Sequence, residues 1–362
     1  MNLTATALTG SLAVLSVLAL KTTQVTAPTV AAPQTTNGAP AIPVDLEAPA
    51  ANQRLDLPPW AFTPNPPRKG ARPPDDGTLL HVPGSTKAYT RTKINDGGNP
   101  PDWFPDTHPP MPNAVAHGGK DYRACAECHL ANGNGKPDTA ALNALPAAYI
   151  EQQMEDFRNG RRHASVTKMS VRSMLSVAMN ITPAEANEAA SYFASTKPAR
   201  WLRVVESDSV PKTEYAGYRF LSIPDAGMEP IGNRIVELPV SPERTDMRDA
   251  SSGFIAYVPK GSVAKGRALV QTGSGKTAAC VACHGNDLRG MGTMVPPIAG
   301  RSPSSIGRQI YDFKSGARDG ANASLMKAPV ATLTDEDIVN IVLPFLASSI
   351  APTAIECFAC AR

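Results

Sequence analysis

Apolar residues recur three and four positions apart in several stretches of this 362-residue chain, and the stretches come in matching pairs. In "YIEQQMEDFRNGRR", Tyr149 to Arg162, residues Ile150, Gln153, Met154 and Phe157 share one helical face, and Gly160 suits the position that closes a helix. "SIGRQIYDFKSGAR", Ser305 to Arg318, repeats the Ile, Gln, Asp, Phe, Gly and Arg in place, 156 positions on (149 to 305). A second pair begins at Met174, "MLSVAMNITPAEANEAASYFAS", and at Met326, "MKAPVATLTDEDIVNIVLPFLAS". Thr182, Pro183 and Glu185 form a capping box with proline at the first helical position, and Thr334 with Asp337 marks the matching start. "AKGRALVQTG", Ala264 to Gly273, predicts one more short helix. Blocks in the same order at nearly constant offset mean two copies of one mainly α-helical domain, expected over 115–198 and 262–350.

The pattern changes outside the copies. Between them, over 199–261, "NRIVELPV" and "GFIAYVP" are short strand-like runs among prolines and glycines, which predicts an irregular, partly β connecting strap. Residues 27–77 are rich in Pro, Ala and Thr without hydrophobic period and read as an extended linker. Over 78–114 aromatic residues return, as in "DWFPDTHPPMP", predicting an irregular extension wrapped on the first copy. The tail is 351–362.

The N-terminus sets the compartment. "MNLTATALTGSLAVLSVLAL" precedes Lys21, so residues 1–26 read as an export signal, although no Lys or Arg leads the apolar run. The small-residue sites "VTA" and "VAA" are each followed by proline, which keeps an uncleaved membrane anchor as the other reading. Both put the folded part in the periplasm. A net charge of +3 gives no concentrated basic face, so nucleic acid is not expected as a partner.

Chemistry enters through "CAECH", Cys125 to His129, and "CVACH", Cys280 to His284, 155 positions apart (125 to 280). A zinc site needs four ligands, usually from two knuckles close together, and these lie in separate copies. A redox dithiol expects a βαβ setting, whereas the repeat is helical. The third reading is covalent haem attachment, with Cys125, Cys128, Cys280 and Cys283 as thioether carriers and His129 and His284 as iron ligands. Two copies in one repeated, exported domain favour it. A sixth ligand from methionine raises the reduction potential, and the repeat picks out Met174 and Met326, each seven residues before the apolar residue that precedes a capping Thr.

On CxxCH, the helix "QQMEDFRNGRR"/"RQIYDFKSGAR" and the methionine ahead of "ITPAEANEAASYF"/"LTDEDIVNIVLPF", the chain resembles dihaem cytochromes c with two class I domains, the c-four type. The resemblance covers about 115–198 and 262–350. It implies two tandem class I cytochrome c domains, two covalently bound haem c groups and single-electron transfer. It implies redox protein partners: a donor dehydrogenase or quinol-oxidising complex, and a terminal oxidase or reductase. It also implies that a proline after the haem motif offers its carbonyl to the ligating histidine. Pro296 matches; the first copy has Ala140 there, which keeps the carbonyl and predicts a looser loop.

Other candidates carry less. His81, His108, His117 and His163 are alternatives for a sixth ligand, His163 being the best placed at a basic helix end. Arg161, Arg162 and Arg318 suit either haem carboxylates or a helix dipole. "CFAC", Cys357 and Cys360, lacks the histidine and reads as a disulfide pair or free thiols. The competing function is a dihaem oxidoreductase, peroxidase-like or thiosulfate-oxidising, or a dehydrogenase's cytochrome subunit. A peroxidase needs an open iron position, whereas both copies place a methionine there.

Overall fold

The computed structural model describes residues 57–66, 75–166 and 168–342. The export segment, Cys357 and Cys360, and the end of the second copy beyond 342 lie outside them. The extension contributes α1 (Arg91–Ile94) and α2 (Asn113–Ala116). The first copy folds as α3 (Cys125–His129), α4 (Ala147–Arg158), α5 (Met169–Asn180) and α6 (Pro183–Ser195). Seven strands follow: β1 (Leu202–Glu206), β2 (Ser209–Pro211), β3 (Thr213–Ala216), β4 (Arg219–Ser222), β5 (Met228–Pro230), β6 (Val236–Pro239) and, after α7 (Pro242–Asp246), β7 (Phe254–Val258). The second copy supplies α8 (Ser262–Thr272), α9 (Val281–His284), α10 (Pro303–Ser315), α11 (Ser324–Ala331) and α12 (Asp335–Ile341).

Local chemistry accounts for these starts and stops. Both capping boxes form: Thr182 with Glu185 opens α6, and Thr334 with Asp337 opens α12. Gly160 and Gly316 take the left-handed conformation after α4 and α10. In the first copy α4 packs on α5 and α6 around Val115, Leu145, Ile150, Tyr192 and Phe193.

β6 and β7, the two runs read as strands, pair antiparallel with Leu238 opposite Ile255. β1 joins β7 in parallel, giving the order β1-β7-β6. β7 alternates buried and half-buried positions, as a strand with one face on a core must. That core is shared. Val236, Leu238 and Val258 pack in one cluster with Leu269, Val270, Ile310, Ile338 and Val339 of the second copy. The boundary expected at 262 therefore falls inside a continuous core, and the strap is built into the second copy. Glu237 is the polar link: 2% exposed, it accepts hydrogen bonds from Ser302 Oγ (2.8 Å) and Ser304 N (2.9 Å) at the start of α10. A carboxylate there meets the positive end of the helix dipole.

Two expectations are corrected. Residues 57–66 are not tether: Trp60, Ala61 and Phe62 are buried in the second copy's core, with Trp60 and Phe62 rings against Tyr311. Gly307 makes room, since a Cβ there would lie 2.6 Å from the Trp60 ring. Burying a large apolar side chain contributes roughly 1.5–3 kcal/mol, which outweighs the proline-rich context. The extension, likewise, does not cover the first copy alone. Trp103 packs with Val82, Ile94 and Met247, and its Nε1 donates to Met247 O (2.8 Å) in the strap.

Candidate functional site

Each CxxCH histidine lies at the end of a one-turn helix, buried, with its ring fixed by a backbone carbonyl. His129 Nδ1 lies 2.7 Å from Ala140 O, and His284 Nδ1 lies 2.9 Å from Pro296 O. The carbonyls are repeat-equivalent, 156 positions apart (140 to 296). An acceptor at Nδ1 places the ring proton there and leaves Nε2 with a bare lone pair, the form that ligates a metal. Burial lowers the pKa of both rings, which keeps them neutral.

The loops that present these carbonyls turn on two glycines missed by the sequence reading. Gly135 N donates to His129 O and Gly290 N to His284 O, both at 2.9 Å. Both have positive φ, and a Cβ on Gly135 would lie 2.5 Å from Ala140 O; one on Gly290 would collide with Val295 O. Each stands ten residues after the first cysteine of its motif (125 to 135, 280 to 290), so aligning the copies would have exposed the pair. The first loop, without the proline, has a tie of its own. Thr139 Oγ1 donates to Cys128 O (2.8 Å), a tie its counterpart Val295 has no hydroxyl to make.

The thiols bear on the redox-dithiol reading. Burial pushes Cys125 up to about 12 and Cys280 to about 11, and raises Cys128 as well. A redox-active dithiol needs the opposite shift. Among the described residues, no group of three or more His, Cys, Asp or Glu converges as a metal cage. Paired thiols beside a neutral, oriented histidine fit haem attachment.

Met174 lies in α5 and Met326 in α11, both half-buried, and Met326 packs against the core shared with the strap. Met169 and Met179, five residues to either side of Met174, are each 59% exposed.

The copies meet through their own equivalents. Arg162 pairs with Arg318 as an isolated antiparallel bridge, flanked by His163 N to Ala317 O (2.9 Å) and Asp319 N to Arg161 O (2.7 Å). Arg162 donates to Gln153 Oε1 (2.8 Å) and Gln309 Oε1 (3.1 Å); Arg318 donates to the same two oxygens at 2.7 and 3.1 Å. Each guanidinium also covers its own phenylalanine, Phe157 or Phe313, at 4.6 and 4.2 Å. Burial, then Arg318, brings Arg162 down to about 10. These two cations are thus held by neutral amides across the boundary, and Arg161 alone is exposed.

The other histidines are placed elsewhere. His81 and His163 are exposed, His117 Nδ1 lies 2.7 Å from Asn99 Oδ1, and His108 pairs with Asp102.

No protein-family model matches the chain. It is 39% identical over 69 residues to cytochrome c-554(548) of Halomonas halodenitrificans, a match spanning 19% of this chain and 83% of that protein. It is 24% identical over 247 residues to the thiosulfate dehydrogenase electron acceptor of Thiomonas intermedia, covering 67% of this chain and 86% of the relative. The solved structure of Acidithiobacillus ferrooxidans cytochrome c4 covers 62% of this chain and 98% of its own, at 19% identity and a TM-score of 0.41.

Proposed function

The chain belongs to the class I cytochromes c with two covalently bound haems, and from that premise we propose that it carries single electrons between periplasmic redox proteins. Cys125 and Cys128 would hold the first haem as thioethers, and Cys280 and Cys283 the second. His129 and Met174 would ligate the first iron, and His284 and Met326 the second. When bound, each haem supplies an iron that gains and loses one electron.

The observation that carries this reading is the twice-built histidine: buried, neutral and fixed at Nδ1 by equivalent carbonyls. The protein's remaining work is to keep the site in one geometry. Gly135 and Gly290 let the loops close, Thr139 ties the first loop to its own motif, and the capped helices α6 and α12 follow the methionine helices directly. Arg162, half-buried, and Arg318, buried, are cations with amide partners and suit the haem carboxylates. One relative's name, a thiosulfate dehydrogenase electron acceptor, supports a dehydrogenase as donor.

Export follows from the N-terminal segment. No helix among the described residues is long and apolar enough to cross a membrane.

Optical spectra of both oxidation states, with and without carbon monoxide, test the carrier role. Two six-coordinate, low-spin haems that ignore carbon monoxide are expected. A haem that binds it in the native protein would favour the dihaem oxidoreductase instead.

A further inference from the structure

The helix that carries each methionine ends against a cation from the helix before it, and the arrangement is the same in both copies. In the first, Arg158 on α4 donates through Nε to Ala178 O (3.0 Å) and through Nη2 to Ile181 O (3.3 Å). In the second, Lys314 on α10 donates through Nζ to Val330 O (3.2 Å), Ala331 O (2.9 Å) and Leu333 O (2.7 Å). The correspondence holds residue by residue. Arg158 and Lys314 stand 156 positions apart (158 to 314), like the other members of their block. Ala178 and Val330 both stand four residues after their methionine, and Ile181 and Leu333 both stand seven after it.

The last carbonyls of a helix have no partner within it and form the negative end of its dipole. A cation reaching them from a neighbouring helix satisfies the carbonyls and also fixes how far one helix slides and rotates on the other. Four of the five residues bearing them are buried, Ala178 at 0%, Ile181 at 5%, Val330 at 3% and Leu333 at 4% exposure, while Ala331 is exposed. The latch lies one helical turn beyond the methionine, so a slip there moves the methionine by a similar amount. A thioether sulfur is a weak donor atom, and an iron keeps it only where the backbone presents it well. The two copies reach this end by different side chains. Arg158 forks across two carbonyls and pairs with Glu155 (2.6 Å), whereas Lys314 spends all three ammonium protons on three carbonyls.

We propose that Arg158 and Lys314 are positioning residues that latch the methionine-bearing helices, so that Met174 and Met326 each reach the iron of their own copy. The inference rests on the reading of these methionines as ligands, and its test separates the two.

The haem-loaded full chain is compared with Lys314→Met, Arg158→Met, Lys314→Arg, Lys314→Gln and, as reference, Met326→Ala. The readouts are carbon monoxide difference spectra and the midpoint potential of each haem. Lys314→Met should open one haem to carbon monoxide and lower its potential while the other haem stays native. Arg158→Met should do the same to the other haem. Lys314→Arg, which places in the second copy the group used in the first, should restore the closed spectrum. Lys314→Gln keeps a donor without the charge, offers a milder change should the methionine variant not fold, and should open the same haem partially. If Met326→Ala opens one haem while neither Lys314→Met nor Lys314→Gln changes either, the latch is overturned and the ligand reading stands. If Met326→Ala changes nothing, the ligand reading falls and the latch falls with it.

Discussion

A histidine that binds a metal through Nε2 needs its other nitrogen occupied, and His129 and His284 meet that need with carbonyls from loops of different composition. Pro296 supplies one through a rigid ring; Ala140 supplies the other with Thr139 Oγ1 bonded to Cys128 O. Gly135 is the residue on which the first loop depends. Gly135→Ala forces a left-handed alanine, which costs about 1–2 kcal/mol before the clash with Ala140 O is counted. The displaced carbonyl makes His129 less basic, so the ferric state loses support. The first haem's potential should rise and the unfolding temperature should fall, by potentiometric titration and thermal melting of the same sample. The motifs themselves were legible, because CxxCH names its chemistry. The glycines were not, because a lone glycine in a loop says nothing until the copies are laid side by side.

At the scale of elements, helices and caps were legible from spacing alone: Thr182, Pro183 and Glu185 stand where the structure starts α6. The strands β6 and β7 were legible from their β-branched and apolar runs. What the sequence hid was contact over distance. Trp60 and Phe62 sit among prolines, and their partner Tyr311 lies some 250 residues on (60 to 311), so no local pattern reports it. The extension's seat is equally non-local. His108 Nε2 lies 3.2 Å from Asp102 Oδ1, while Nδ1 faces Pro109 O (2.9 Å) and Tyr192 OH (3.0 Å) of α6. Tyr192 gives its own proton to Ala131 O (2.6 Å), so every partner of this ring accepts and the doubly protonated imidazolium satisfies them all. The Asp102 hydrogen bond raises the pKa of His108 against the opposing effect of burial. A raised folded pKa contributes stability that is complete below the ordinary histidine value, about 6.5, and is lost as pH climbs through the folded value. His108→Gln should therefore lower the unfolding temperature most at pH 6. The gap from the native protein should narrow as pH rises; a constant gap would remove the proton from the account.

The whole molecule is two copies of one helical unit, made unequal by what has been built around them. The strap shares the second copy's core through Val236, Leu238 and Val258, and the segment at Trp60 joins it there. The extension ties α6 of the first copy to the strap through His108 and Trp103. Between the copies, Arg162, Arg318, Gln153 and Gln309 close a ring of side chains in which each member faces its own equivalent. The twofold repeat was legible at sequence level; the unequal packing was not, because it depends on segments with no counterpart in the other copy. The central claim is that both copies carry a haem at the same pair of thiols. Intact mass of the purified protein under denaturing conditions tests it most directly, alongside a Cys125→Ala/Cys128→Ala variant. Two haem additions are predicted for the native chain and one for the variant; a native mass with none, one or three would contradict the account.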